Sequence, residues 1–164
     1  MSTHAPVEVR PMLPGEEDAA AALVDRVFRQ DVAPLYAPEG IAEFLSYATA
    51  TGLRDRQGRG HVVLVAIQKG SMVGMIELRR YGHVSLLFVD PASQREGIGR
   101  ALVREALGLC RAQPSPAPEI TVNSSPNAIE AYRSFGFRPT GDLQVKNGIR
   151  FIPMSLELEQ TDGA

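Results

Sequence analysis

The chain has 164 residues, 44% of them hydrophobic and 22% charged, with a formal net charge of −2. That balance suits one ordinary globular domain, and without a block of like charges it argues against a broad nucleic-acid-binding face. A lone cysteine, Cys110, excludes an internal disulfide and a thiolate zinc cluster.

Val7 to Arg10 reads as a short first strand. Glu16 to Gln30 carries Leu23, Val24, Val27 and Phe28 at helical spacing. Pro34 and Pro38 interrupt it, and a second helix is expected over Glu39 to Thr51, with Ile41, Phe44, Leu45 and Ala48 on one stripe. Arg54 to Gly60 is polar and glycine-bearing, so a loop is expected. His61 to Gln68 is a strand, Lys69-Gly70-Ser71 a hairpin turn, and Met72 to Arg80 the next strand. Tyr81-Gly82 turns into Val84 to Val89, an apolar, β-branched run that Asp90-Pro91 stops. From Ile98 the apolar residues recur helically at Leu102, Ala106 and Leu109, so a helix starts near Gly97. Cys110 falls in that pattern and reads as a buried small hydrophobe. Gln113 to Pro118 holds three prolines and links to a strand over Glu119 to Asn123. Ser125-Pro126 then suits an N-cap and first helical position. Near the end, Asn147-Gly148 between two strand-like runs is a hairpin signal. The expected order is β-α-α-β-β-β-α-β-α-β-β, with no internal repeat. The first residues, Met-Ser-Thr-His-Ala-Pro, hold no apolar signal core, and no apolar run approaches the ~20 residues of a membrane span. The expectation is a cytoplasmic protein with no membrane partner.

The turn before the long helix carries the chemistry. The first N–H groups of a helix lack intrahelical acceptors, and the macrodipole adds roughly half a positive charge there. Gly97 and Gly99 have no Cβ, so an anion can approach the backbone closely. Two common phosphate loops do not fit. No Gly-Lys-Ser/Thr occurs in the chain, which excludes a Walker loop, and Leu102 stands where a dinucleotide fingerprint needs its third glycine. What does match is Gln94-x-x-Gly97-x-Gly99, which resembles the acyl-CoA-binding signature Gln/Arg-x-x-Gly-x-Gly/Ala of the GNAT superfamily of N-acetyltransferases. A second segment is similar to that family's in the same order: Asn127, then Ala128-x-x-x-Tyr132, then Gly136-Phe137. The resemblance runs from about Val62 to Met154, and the first sixty residues match in outline.

The resemblance implies an α/β fold in one domain, 1–164: a mixed, mostly antiparallel sheet with helices on both faces and a splayed parallel strand pair. The splayed strands would be Val84–Val89 and Glu119–Asn123. Acetyl-CoA, with no metal, would be the cosubstrate. Its pantetheine arm would bond to backbone around Leu87, Phe88 and Val89. Its pyrophosphate would meet the N–H groups of Arg95, Glu96, Gly97, Ile98, Gly99 and Arg100, with Arg95 or Arg100 adding charge. Gln94 would shape the turn, and Asn123, Asn127 and Tyr132 would flank the ligand. The implied reaction is direct acetyl transfer from the thioester to a primary amine of a small molecule or a peptide, in a ternary complex. Tyr132 would protonate the leaving thiolate. For the base, the family's glutamate position is His83; Glu77 on the neighbouring strand is a second candidate, and water a third. Strand alternation would put His83, Ser85, Leu87 and Val89 on one face. Tyr36, Glu39, Phe44 and Tyr47 are expected around the acceptor, with Glu39 toward a cationic amine, although Phe44 suits the core equally. A monomer or homodimer is expected. The competing readings are a non-catalytic acyl-CoA-binding regulatory module and a nucleotide-binding protein using the same helix start.

Overall fold

The computed structural model describes residues 5–158. In chain order the elements are β1 (Val7–Pro11), α1 (Glu17–Asp31), α2 (Pro38–Tyr47), α3 (Ala50–Gln57), β2 (His61–Gln68), β3 (Ser71–Arg79), β4 (His83–Val89), α4 (Ile98–Arg111), β5 (Glu119–Ser124), α5 (Ile129–Ser134), β6 (Arg138–Pro139), β7 (Gln144–Lys146) and β8 (Ile149–Glu157). Single 3-10 turns precede α2, α4 and α5. The sheet runs β1-β2-β3-β4-β5-β8-β6, with β7 on β8. Every neighbouring pair is antiparallel except β4 with β5. This is the α/β fold that the two motifs imply. Among the described residues, no helix is long and apolar enough to cross a membrane.

Each face of the sheet has its own core. Ile98, Leu102, Val103 and Ala106 of α4, with Tyr132 of α5, pack on Leu64, Ile76, Val84, Ile120 and Val122. On the opposite face Ala20, Leu23, Val24 and Val27 of α1, with Leu53 of α3, pack on Val63, Val65, Met75 and Leu86. Cys110 is buried in the first core.

The sequence reading needs three corrections. The expected helix over Glu39 to Thr51 is two helices, and the expected loop over Arg54 to Gly60 begins inside α3. The chain leaves helical geometry at Ala48 and is extended at Thr49, whose Oγ1 accepts the Gly52 N–H at 2.9 Å and caps a new helix. The polar run of α3 is its solvent face, anchored by the fully buried Leu53. Next, Pro126 opens a 3-10 turn rather than α5, and Ser125 makes no side-chain cap bond. The third correction concerns β4. Leu78 pairs with Val84 but Glu77 pairs with Leu86, so Ser85 is an extra residue, a β-bulge. Val84 therefore faces the α4 core, Leu86 faces the α1 core, and Leu87 and Val89 again face α4. His83 points to the α1 side, away from Leu87 and Val89, so the simple alternation fails at the bulge.

The parallel pair holds together only at His83↔Thr121 and Val84↔Val122. Beyond those residues β4 and β5 diverge, and α4 starts above the gap.

Candidate functional site

A cleft of about 650 Å³ occupies the gap. One end is the turn before α4. The Asp90 carboxylate accepts the Ala92 N–H at 3.0 Å and starts the turn. Gln94 Nε2 donates to the Val89 carbonyl at 3.1 Å and ties the turn to the end of β4. Arg95 and Gly97 both have left-handed backbone, φ 69° and 81°. That geometry turns successive N–H groups toward one concave side. The N–H groups of Gly97, Ile98, Gly99 and Arg100 find no acceptor among the described residues. Four orphan donors at the positive end of a 14-residue helix face the cleft without a protein acceptor, the arrangement that suits an anion. A Cβ on Gly99 would stand 3.3 Å from Phe135 Cζ, so glycine keeps the passage there open.

Along the cleft wall the backbone of β4 is available. The Asp90 N–H bonds to Val73 on β3, and strand alternation turns the N–H and C=O of Val89 and Leu87 the other way, into the gap. Asn123, Ser125 and Asn127 line the β5 side. Arg95 and Arg100 are exposed at the rim, and the Arg100 guanidinium donates to the Ser134 carbonyl at 3.2 Å. Glu96 leaves the cleft; its carboxylate accepts from Gln68 Nε2 at 3.1 Å.

Tyr132 lines the floor, 6% exposed, with Phe135 and Phe137 edge-on to its ring. Its hydroxyl makes no hydrogen bond with any described residue. Burial pushes its pKa well above the ordinary tyrosine value, so the phenol stays protonated throughout the physiological range.

The opposite end is built by α1 and α2. Phe28 stacks on Phe44 at 3.9 Å, and Tyr36 meets Phe28 edge-on at 5.6 Å. Tyr36 and Phe44 line the cleft, together with Asp31, the last residue of α1. Phe44 thus serves as both core and wall. Glu39 and Tyr47 do not line it. Glu39 is exposed and its Cγ lies against Gly148. Gly40 and Gly148 meet backbone to backbone, where any Cβ would collide, and this docks α2 on the β7–β8 hairpin. Tyr47 lies under the Arg56 guanidinium, 3.6 Å from ring centroid to Cζ, and its hydroxyl faces Ser85 of the cleft wall.

The two side chains expected as bases also stand apart from the cleft. Glu77 is fully buried and accepts from Arg56 Nε at 2.7 Å and Nη2 at 3.0 Å, while His61 Nδ1 lies at 2.7 Å. Its lone pairs are occupied by structure. His83 Nδ1 bonds to Thr121 Oγ1 at 2.7 Å, and its ring lines a second depression. Burial first, then the charges of Arg79 and His61, push its pKa down to about 4.

Sequence reasoning missed Asp31, Ser85, Val122, Ser125 and Phe135 as lining residues. Asp31 did carry a signal: an acid in the last turn of a helix opposes the macrodipole. The others follow only from the splay.

A model of the acetyltransferase (GNAT) domain matches residues 32–158, which span both motifs and the splayed strands. The chain belongs to the GNAT acetyltransferase family. Over 66 residues this GNAT chain is 36% identical to the peptidyl-lysine N-acetyltransferase YjaB of Escherichia coli, covering 38% of the chain and 40% of that protein. The chain spans half or less of the length of the curated relatives it matches. Among solved structures, a GCN5-related N-acetyltransferase from Rhodopseudomonas palustris superposes with a TM-score of 0.79 at 23% identity, covering 96% of this chain and 99% of that one. The PaiA N-acetyltransferase of Thermoplasma acidophilum, in complex with coenzyme A, gives 0.74 at 18%, covering 93% and 99%. At these identities the two structures are alike in fold.

Proposed function

We propose that this GNAT domain transfers an acetyl group from acetyl-CoA directly to a primary amine within a ternary complex. The observation that carries this reading is the row of unpartnered N–H groups from Gly97 to Arg100, opening onto a cleft with Tyr132 on its floor and Asp31 at its opposite end. The pyrophosphate sits on that row, with Arg95 and Arg100 at the rim. The amides of the pantetheine arm pair with the Leu87 backbone, which alternation turns away from β3, as a strand would, while the Val89 carbonyl already accepts from Gln94 Nε2.

The amine nitrogen attacks the thioester carbon, the C–N bond forms and the C–S bond breaks. The carbonyl oxygen gains charge, and the Val89 N–H is its donor. The leaving sulfur receives a hydrogen bond from Tyr132. Because burial raises that phenol's pKa, it acts as a neutral donor to the sulfur rather than surrendering its proton outright. The amine loses two protons, one from the ammonium before attack and one as the C–N bond forms; both pass to water in the open cleft, since neither Glu77 nor His83 lines it, and water returns one to the released thiolate. The acceptor enters between α1 and α2, where Asp31 supplies the negative charge assigned above to Glu39 by sequence. Lysine-bearing peptides, which the name of YjaB suggests, and small diamines both suit such an entrance.

The test is free-thiol release from acetyl-CoA with a panel of monoamines, diamines and lysine peptides, alongside melting curves with CoA and with ATP. Expected are a CoA-specific rise in Tm and one acetylated amine per thiol. A CoA-specific rise with no thiol release across the panel makes the domain a regulatory binding module. An equal rise with ATP makes it a nucleotide binder.

A further inference from the structure

On the α1 face of the sheet, one row of side chains crosses four strands. His61 pairs with Arg79, Arg79 with His83, and His83 with Thr121. Alternation puts all four on the face opposite Val62, Leu78, Val84 and Val122. Arg59 and Arg80 join from the flanking turns, and together these residues line a depression of about 540 Å³. The guanidinium groups of Arg59, Arg79 and Arg80 make no ion pair or hydrogen bond with any described residue. No carboxylate lines the depression. Both imidazoles are held by their Nδ1 atoms, His61 by the buried Glu77 and His83 by Thr121, each at 2.7 Å. Their Nε2 atoms are left unpartnered beside three arginines.

We propose that this row is a second binding site, separate from the splay, for the phosphate or carboxylate group of a small molecule. Three like charges around one depression repel one another, and a bound oxyanion relieves that repulsion. Guanidinium forks suit planar carboxylate and phosphate oxygens, and each pinned imidazole adds an Nε2–H donor of fixed direction when its ring is protonated. The same arginines exclude a metal ion, although two oriented histidines flanking β3 would otherwise suit one. The depression is bounded by seven residues, which suits a small molecule better than a nucleic-acid backbone. The charged groups facing His83 are Arg79, His61, Arg59 and Arg80, with Glu77 behind His61. An anion among them favours its protonated form, so the His83 titration midpoint rises from about 4 when the site fills.

The experiment follows the imidazole signals of 15N-labelled protein by NMR while potassium phosphate, and separately citrate, is added at constant ionic strength. The chain has three histidines, so single substitutions assign them. The expected result is saturable movement of the His61 and His83 signals with at least one of the anions. In Arg79→Gln the same titration is expected to give affinity weaker by about tenfold, the loss of one charged hydrogen bond. Arg59→Gln provides the same comparison should Arg79→Gln melt below the working temperature. Movement that tracks ionic strength without saturating, equal affinity in the arginine variants, or a response confined to the amides of residues 94–100 would each overturn the proposal.

Discussion

Removing the cation from Arg56 is expected to cost this protein far more stability than removing the anion from Glu77. The Glu77 side chain is 0% exposed, while that of Arg56 is 15% exposed. Arg56→Met leaves a sealed carboxylate with only His61 beside it. Breaking such a buried pair costs about 3–5 kcal/mol. For a chain of this size that corresponds to a fall in Tm of roughly 6–20 °C. Glu77→Gln keeps the volume and leaves a guanidinium that still donates to the Tyr47 carbonyl at 2.7 Å and rests on the Tyr47 ring. Its loss is expected at about 1–3 kcal/mol. The double variant Arg56→Met/Glu77→Leu removes both charges and is expected to recover most of the Arg56→Met loss, because apolar replacement of a buried pair is often neutral. Thermal melts of the three variants at pH 7 supply the cycle. Assayed below its melting point, Glu77→Gln is expected to keep its kcat, since this carboxylate does not line the cleft. If Arg56→Met melts within about 3 °C of the parent, the carboxylate is reachable by water. The assignment of Glu77 to structure then fails, and its candidacy as a base returns.

Three further outcomes concern the cleft. Gly99→Val places methyl groups toward Phe135 and Val89, and it is expected to remove most of the CoA-induced rise in Tm, which at a hundredfold excess over Kd would be about 2.7 kcal/mol; parental CoA binding in the variant would contradict the pyrophosphate position. Tyr132→Phe keeps the ring packed against Phe135 and Phe137, so kcat is expected to fall about ten- to a thousandfold while CoA affinity and Tm hold; a normal kcat in the folded variant would leave the hydroxyl no role in the reaction. Asp31→Asn removes an acid from a helix C-terminus, so Tm is expected to rise by about 1 °C or more, while KM for a diamine rises and KM for an uncharged-tail monoamine does not; unchanged diamine kinetics would place the acceptor elsewhere.

The turn before α4 was legible because its signal is local. Gln94, Gly97 and Gly99 lie within six residues, and a strand followed by a helix start is written in the apolar spacing on either side. Tyr132 was legible through its spacing from Asn127 and Gly136. What failed was non-local. The period-2 reading of β4 has no means of registering one surplus residue, because a bulge is set by the partner strand and not by the bulged one. The break at Ala48-Thr49 was missed because the apolar stripe continues past it, and the capping threonine was read as the end of a helix instead of the start of another. The end of the cleft proposed to take the acceptor is a tertiary product. Asp31 and Glu39 are both acids near a helix end, and only the docking of Gly40 against Gly148 decides which of them faces the gap.

The surplus residue in β4 has a larger consequence than its size suggests. Pairing with β5 stops at Val84, and Ser85 is the very next residue. A bulge bends and over-twists the strand that carries it, so the opening between the two strands starts at this insertion. A chain lacking Ser85 would keep every apolar side chain on its present face, since Val84 and Leu86 already point to opposite cores. Its two central strands would then be free to zip together along their whole length. Such a protein would be a better sheet and a worse container: backbone groups now left for a visitor would satisfy one another, and the cavity would close from within.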